Sequence, residues 1–168
     1  RLKLNGSAAS SAFTVSGGIL SGNGTVGSLS LASGGTLSPG DSPGTFSAIG
    51  NTTWAGGGTF TFEVNKRDGT AGVDPGWDLL SISGSLTITA TSGSKFTLGL
   101  NTLNLSNAAG EPENFSAGGN YTFAFVTATS GIVGFDTSKF TLSTTGVESS
   151  LTGAWSLALA NSSHDLNL

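Results

Sequence analysis

Three aspartates, Asp68, Asp74 and Asp78, fall in one glycine-rich stretch, "RDGTAGVDPGWD". Hard cations bind carboxylates together with carbonyl oxygens from loops of this kind, so calcium is the metal this stretch suits. The spacing fits neither the EF-hand loop nor the nonapeptide calcium repeat, and Lys66 and Arg67 beside it partly neutralise the site. Trp77 lies in the same stretch and offers a flat apolar face on which a sugar ring could stack. Trp54, Tyr121 and Trp155 are the other candidate platforms, with Trp54 and Trp155 better read as plugs of a core or cap.

Catalysis finds less support in the residue types. The only histidine, His164, is flanked by Ser163 and Asp165. Neighbouring residues of a strand point to opposite faces, so these three cannot form a relay among themselves, and His164 is expected to face solvent. The acids Asp41, Glu63, Glu111, Glu113, Asp136, Glu148 and Asp165 are scattered, nearly all in apparent turns, where they usually bond their own backbone. A polysaccharide-acting enzyme would want paired carboxylates with cations close by, and only Lys66 and Arg67 lie in such a neighbourhood.

The elements that must position these groups are strands. Gly, Ser, Thr and Asn make up about half of the 168 residues, charged residues are 10%, and good helix formers are scarce. Ten Phe and three Trp recur at strand spacing, which a disordered linker would lack. A net charge of -4 with six Lys plus Arg gives no basic stripe for nucleic acid or an anionic membrane surface. With no cysteine, disulfides and thiolate metal sites are excluded, and stability must come from repetitive backbone pairing. No stretch is long and apolar enough to span a bilayer. The opening "RLKLNGSAAS" also lacks the apolar core of a signal peptide, so any export signal is expected to lie outside the chain or to have been removed.

Apolar residues alternate in short runs separated by turns. "SGGIL" at Ser16–Leu20 returns as "SGGTL" at Ser33–Leu37, 17 residues on, and more loosely as "GGGTF" at Gly56–Phe60. Between and after these lie Val26, Leu29 and Leu31; Phe46 and Ile49; Phe60, Phe62 and Val64; Leu80 and Ile82; Leu86 and Ile88; and Phe96, Leu98 and Leu100. Pro39–Gly40 and Pro43–Gly44 read as corners, because Pro has no donor for a central ladder and Gly accepts positive φ. Such corners let successive strands stack in parallel, pass upon pass, as in a β-solenoid. Asn65–Trp77 reads as an exposed excursion, and "NLSNAAGEPENFSAGGN" at Asn104–Asn120 as a second loop. Tyr121, Phe123 and Phe125 then share a face. No domain boundary is evident within 1–168. The spacing loosens from about residue 105, where a terminal cap or a β-sandwich-like region is expected.

The segment Leu20–Asn51, "LSGNGTVGSLSLASGGTLSPGDSPGTFSAIGN", resembles the autotransporter-associated β-strand repeat of bacterial surface proteins, and "GGTFTFEV" and "WDLLSISGSLTI" are similar to its usual continuation. The final "AWSLALANSSHDLNL" resembles the stretch that precedes a Pro-Glu-Pro sorting tail. The resemblance implies a right-handed parallel β-helix on the outside of a bacterium. It brings no catalytic motif.

Both ends alternate without a polar cap. Arg1, Leu2, Lys3, Leu4 and Asn5 at one end and Asp165, Leu166, Asn167 and Leu168 at the other are therefore expected to be open strand edges. Joined end to end they would make a homopolymer, either a fibre, a filament or a surface layer, unless the chain is part of a longer solenoid whose neighbours continue it. The expected function is non-enzymatic and structural, with an adhesin or glycan-binding module that uses Trp77 as the first alternative and a polysaccharide-acting enzyme as the second.

Overall fold

Where the sequence alternates, the chain is extended, and where Gly and Pro interrupt it, the chain crosses to the other side. A computed structural model describes residues 1–116, 118–148 and 153–168. The protein is all-β, with two single-turn 3-10 helices at Thr137–Lys139 and Asn161–Ser163. Strands numbered along the chain form two sheets. In the first, β1 (Leu2–Lys3), β3 (Gly18–Gly22), β5 (Gly35–Pro39), β8 (Thr59–Val64), β13 (Phe96–Thr102) and β16 (Phe140–Gly146) each pair in parallel with the next.

The second sheet takes the segments in between. Here β2 (Ser7–Val15) runs parallel to β4 (Thr25–Leu31), and β4 is matched by two short strands, β6 (Thr45–Ala48) and β7 (Thr52–Trp54). These pair in parallel with β11 (Leu79–Ile82) and β12 (Leu86–Ile88), which pair in turn with β14 (Ala124–Ala128) and β15 (Ile132–Val133). Antiparallel pairs make both sheets mixed. β10 (Gly76–Trp77), with β9 (Thr70–Ala71) beside it, runs against β8, and β18 (Asp165–Asn167) runs against both β14 and β17 (Ala158–Ala160).

The repeated motifs meet in register. Gly18 pairs with Gly35 and Leu20 with Leu37, and Leu37 then pairs with Phe60. Alternation aims one set of side chains between the sheets, so Phe60, Phe62 and Val64 are buried while Thr59, Thr61 and Glu63 stay half-covered. The indole of Trp54 on β7 stacks on Phe96 of β13 at 4.5 Å between ring centroids, and Phe60 of β8 lies 5.5 Å from Phe125 of β14. Contacts of this kind place the apolar core between the two sheets. Each such ring contributes about 1.5–3 kcal/mol on burial.

The corners depart from expectation in detail. Gly40 has φ +77° and turns the chain after β5, but Gly44 needs no positive φ, and its N–H is held by a distant carboxylate. Ile49, expected inward with Phe46, is 51% exposed, because the chain bends out of β6 before reaching it. The segment after residue 105 adds β14, β15 and β16 to the existing parallel ladders, and the antiparallel β17 and β18 come last. Pairing of β13 with β16 slips between Gly99 and Asn101.

Candidate functional site

At the N-terminal end both sheets stop on strands with one free side. Among the described residues β1 pairs only with β3 and β2 only with β4. The nine residues of β2, "SAASSAFTV", contain no charge and no proline. Charge and proline are two devices that stop an edge from pairing with another chain; a bulge is a third, and β2 carries a register shift against β4 between Ala8 and Ala12. A groove of about 410 Å³ opens between β1 and β2, with Leu2, Phe13, Val15, Ile19 and Leu20 in its wall. Leu2 is 54% and Ile19 40% exposed.

The polar residues of this end are fixed from within. The Arg1 Nε donates to Ser21 Oγ at 3.0 Å, Lys3 forms an ion pair with Asp41, and the Leu4 N–H donates to the Ser21 carbonyl at 2.8 Å. The Asn5 side-chain oxygen accepts the Asn23 N–H at 3.1 Å, and the Asn23 oxygen accepts the Thr45 N–H at 3.2 Å. The same residue type thus ties each pass to the next at one corner.

The C-terminal strand is not an edge, contrary to expectation. Asp165–Asn167 form β18, which lies between β14 and β17, and Leu166 and Leu168 are buried. Leu168 also exchanges two backbone hydrogen bonds with Phe123, at 2.8 and 2.9 Å. The alternation in "HDLNL" shows which side chains point inward but not which strands lie alongside. The turn at Asn161, Ser162 and Ser163, all with φ between 47° and 68°, reverses the chain into the sheet. In the first sheet the far edge is β16, which pairs only with β13 among the described residues.

The three aspartates of the charged loop are held apart, each by its own donors. Asp68 accepts from the Asn114 side-chain amide at 2.8 Å. Asp74 accepts from the amides of Asn65 at 2.6 Å and Asn107 at 2.8 Å. Asp78 is fully buried, and its two oxygens take the N–H groups of Gly44 and Glu63, both at 2.9 Å. No three acidic or histidine side chains come together as metal ligands among the described residues. The loop is not a free excursion either. Lys66 and Glu113 form an ion pair at 2.8 Å, and the Arg67 Nε donates to the Asn114 carbonyl at 3.0 Å, so residues 65–78 are pinned against 104–115.

Burial, and then the nearby Glu63 carboxylate, push the Asp78 carboxyl well above the usual aspartate range, while the two N–H donors pull the other way. Burial also raises Glu63. With no exposed surface, Asp78 can hold chain segments together but cannot reach a substrate.

Trp77 is half-buried, its Nε1 donates to the Ala124 carbonyl at 2.9 Å, and its ring meets Phe123 edge-on at 5.2 Å. It braces β10 against β14 and does not stand free in the loop. His164 precedes β18 as the cap of a 3-10 turn and not as a strand residue, and its Nδ1 bonds the Asn161 carbonyl at 3.0 Å. Trp54 is a core plug. Trp155 and Tyr121 instead meet across a surface cavity, a pairing that their separation in sequence gave no means to foresee. No protein-family model matches the chain, and no curated protein matches it.

Proposed function

We propose that the protein is a non-enzymatic structural module of the bacterial cell surface or extracellular space that assembles with copies of itself, end to end, by strand pairing. The observation that carries this reading is the uncharged, proline-free outer edge of β2 among the described residues, with a groove beside it that exposes Leu2 and Ile19. In this reading the chain's alternation between two parallel ladders is a β-solenoid. Its hand is right-handed, as parallel crossovers in one sheet nearly always are. The β1–β2 end of one copy meets the β16 end of the next, and β18, an interior strand, takes no part. Because the two surfaces differ, the contact is head-to-tail and propagates into a filament. The resemblance of residues 20–51 to autotransporter-associated repeats supports the location.

The test is sedimentation velocity on the protein and on a Leu2→Asp, Ile19→Asp double variant, which puts like charges into the groove without touching a buried side chain. The wild type should grow with concentration, and the variant should stay monomeric with an unchanged circular dichroism spectrum. Equal growth of a folded variant would contradict the proposed contact.

A further inference from the structure

Far from the open end, a surface cavity of about 230 Å³ lies where the chain after Glu113 meets the segment before β17. Phe115, Tyr121, Phe123 and Trp155 give it aromatic walls, and Asn120 and Ser156 stand in its lining as polar groups. The remaining lining residues are Ser, Gly and Ala, so no charged side chain borders it among the described residues. The rings are held by one another and by Arg67. Phe115 lies 4.8 Å from Tyr121 and stacks on Phe123 at 5.8 Å, and the Arg67 guanidinium sits over the Tyr121 ring at 5.4 Å. The Tyr121 hydroxyl is tied down as well, accepting the Ser116 N–H at 2.9 Å and bonding the Ser116 hydroxyl at 2.8 Å. Gly119 leaves the room for this, since a Cβ there would overlap the Tyr121 hydroxyl. By contrast, the Trp155 indole N–H has no hydrogen-bond partner among the described residues.

We propose that this cavity is a subsite for one neutral sugar residue of a glycan. A pyranose ring has apolar C–H faces that stack on aromatic rings and a perimeter of hydroxyls that exchange hydrogen bonds with amides, hydroxyls and indole N–H groups. Aromatic walls with an uncharged polar lining match both features, and the volume suits a single ring more than a drug-sized ligand. An acidic sugar would find no cation in the lining, and a purely aliphatic group would leave the polar lining groups unpaired. The inference does not depend on end-to-end assembly.

The test is saturation-transfer NMR and tryptophan-fluorescence titration of the purified protein with cellobiose, lactose and mannobiose, with glucuronate and indole as controls. At least one neutral disaccharide should bind, and Trp155→Ala should weaken it by about tenfold or more. Trp155→Phe should retain most of the binding but lose the fluorescence response. Asn120→Ala, which alters an exposed side chain, should weaken binding severalfold, and it decides the matter if Trp155→Ala fails to fold. The proposal is overturned if no neutral sugar binds, if glucuronate or indole binds better than every neutral sugar, or if the folded variants bind as the wild type does.

Discussion

Asp78 lies between β10 and β11 and joins three separate segments through its two carboxyl oxygens, taking the N–H groups of Gly44 and Glu63. Removing a buried acceptor leaves both donors unsatisfied, so Asp78→Ala should cost about 2–4 kcal/mol in chemical denaturation, and Asp78→Asn, which keeps one oxygen, should cost less. Because folding raises the Asp78 and Glu63 carboxyls, the native state binds more protons than the unfolded chain between the ordinary carboxylate range and the raised values. Stability from these two groups is then greatest below that window and falls as pH rises through it. Asp68 and Asp136 shift downward through bonds from Asn114 and Ser138, the opposite sense, but both are exposed and screened. The protein should resist denaturant better at about pH 5 than at about pH 8, and Asp78→Asn should flatten that difference; a stability that rises over this range would contradict the assignment. In sequence, Asp78 looked like a partner of Asp68 and Asp74 because they share a loop. Its actual partners lie 34 and 15 residues away, a distance over which spacing carries no information.

At the scale of strands, the closeness of successive passes is set by glycine. Gly35 pairs with Gly18, and a Cβ at Gly35 would overlap the Val15 carbonyl, whereas a Cβ at Gly17 meets nothing nearby. Gly35→Ala should therefore cost about 1–3 kcal/mol. Gly17→Ala should stay within about 0.5 kcal/mol, and thermal melts of the two variants side by side would show the contrast. The strands themselves were legible. Repeats at Ser16, Ser33 and Gly56 predicted which segments lie alongside, and alternation predicted the buried faces of β8, β11, β12 and β13. Connections were less so. The charged loop read as exposed because composition reports solubility but not partners, and its side chains in fact bind those of residues 107, 113 and 114. The place of the last strand is not legible for a related reason, since alternation is the same whether a strand ends a sheet or inserts into it.

Taken as a whole, the molecule is asymmetric along its stacking direction. Among the described residues, β1 and β2 each have one free side at one end, beside a groove, while β16 in the first sheet and β15 and β17 in the second are outer strands elsewhere. The two sets of outer strands differ, and in the proposed assembly this difference makes the contact head-to-tail. Calcium has no evident place in that contact, because Asp68, Asp74 and Asp78 already bond to neighbouring amides and backbone N–H groups. The measurement that bears most directly on the assembly is negative-stain electron microscopy of the purified protein over a concentration series, with chelator in half of the samples. Uniform, unbranched filaments that lengthen with concentration and survive chelator are the predicted result. Monodisperse particles at every concentration would contradict it.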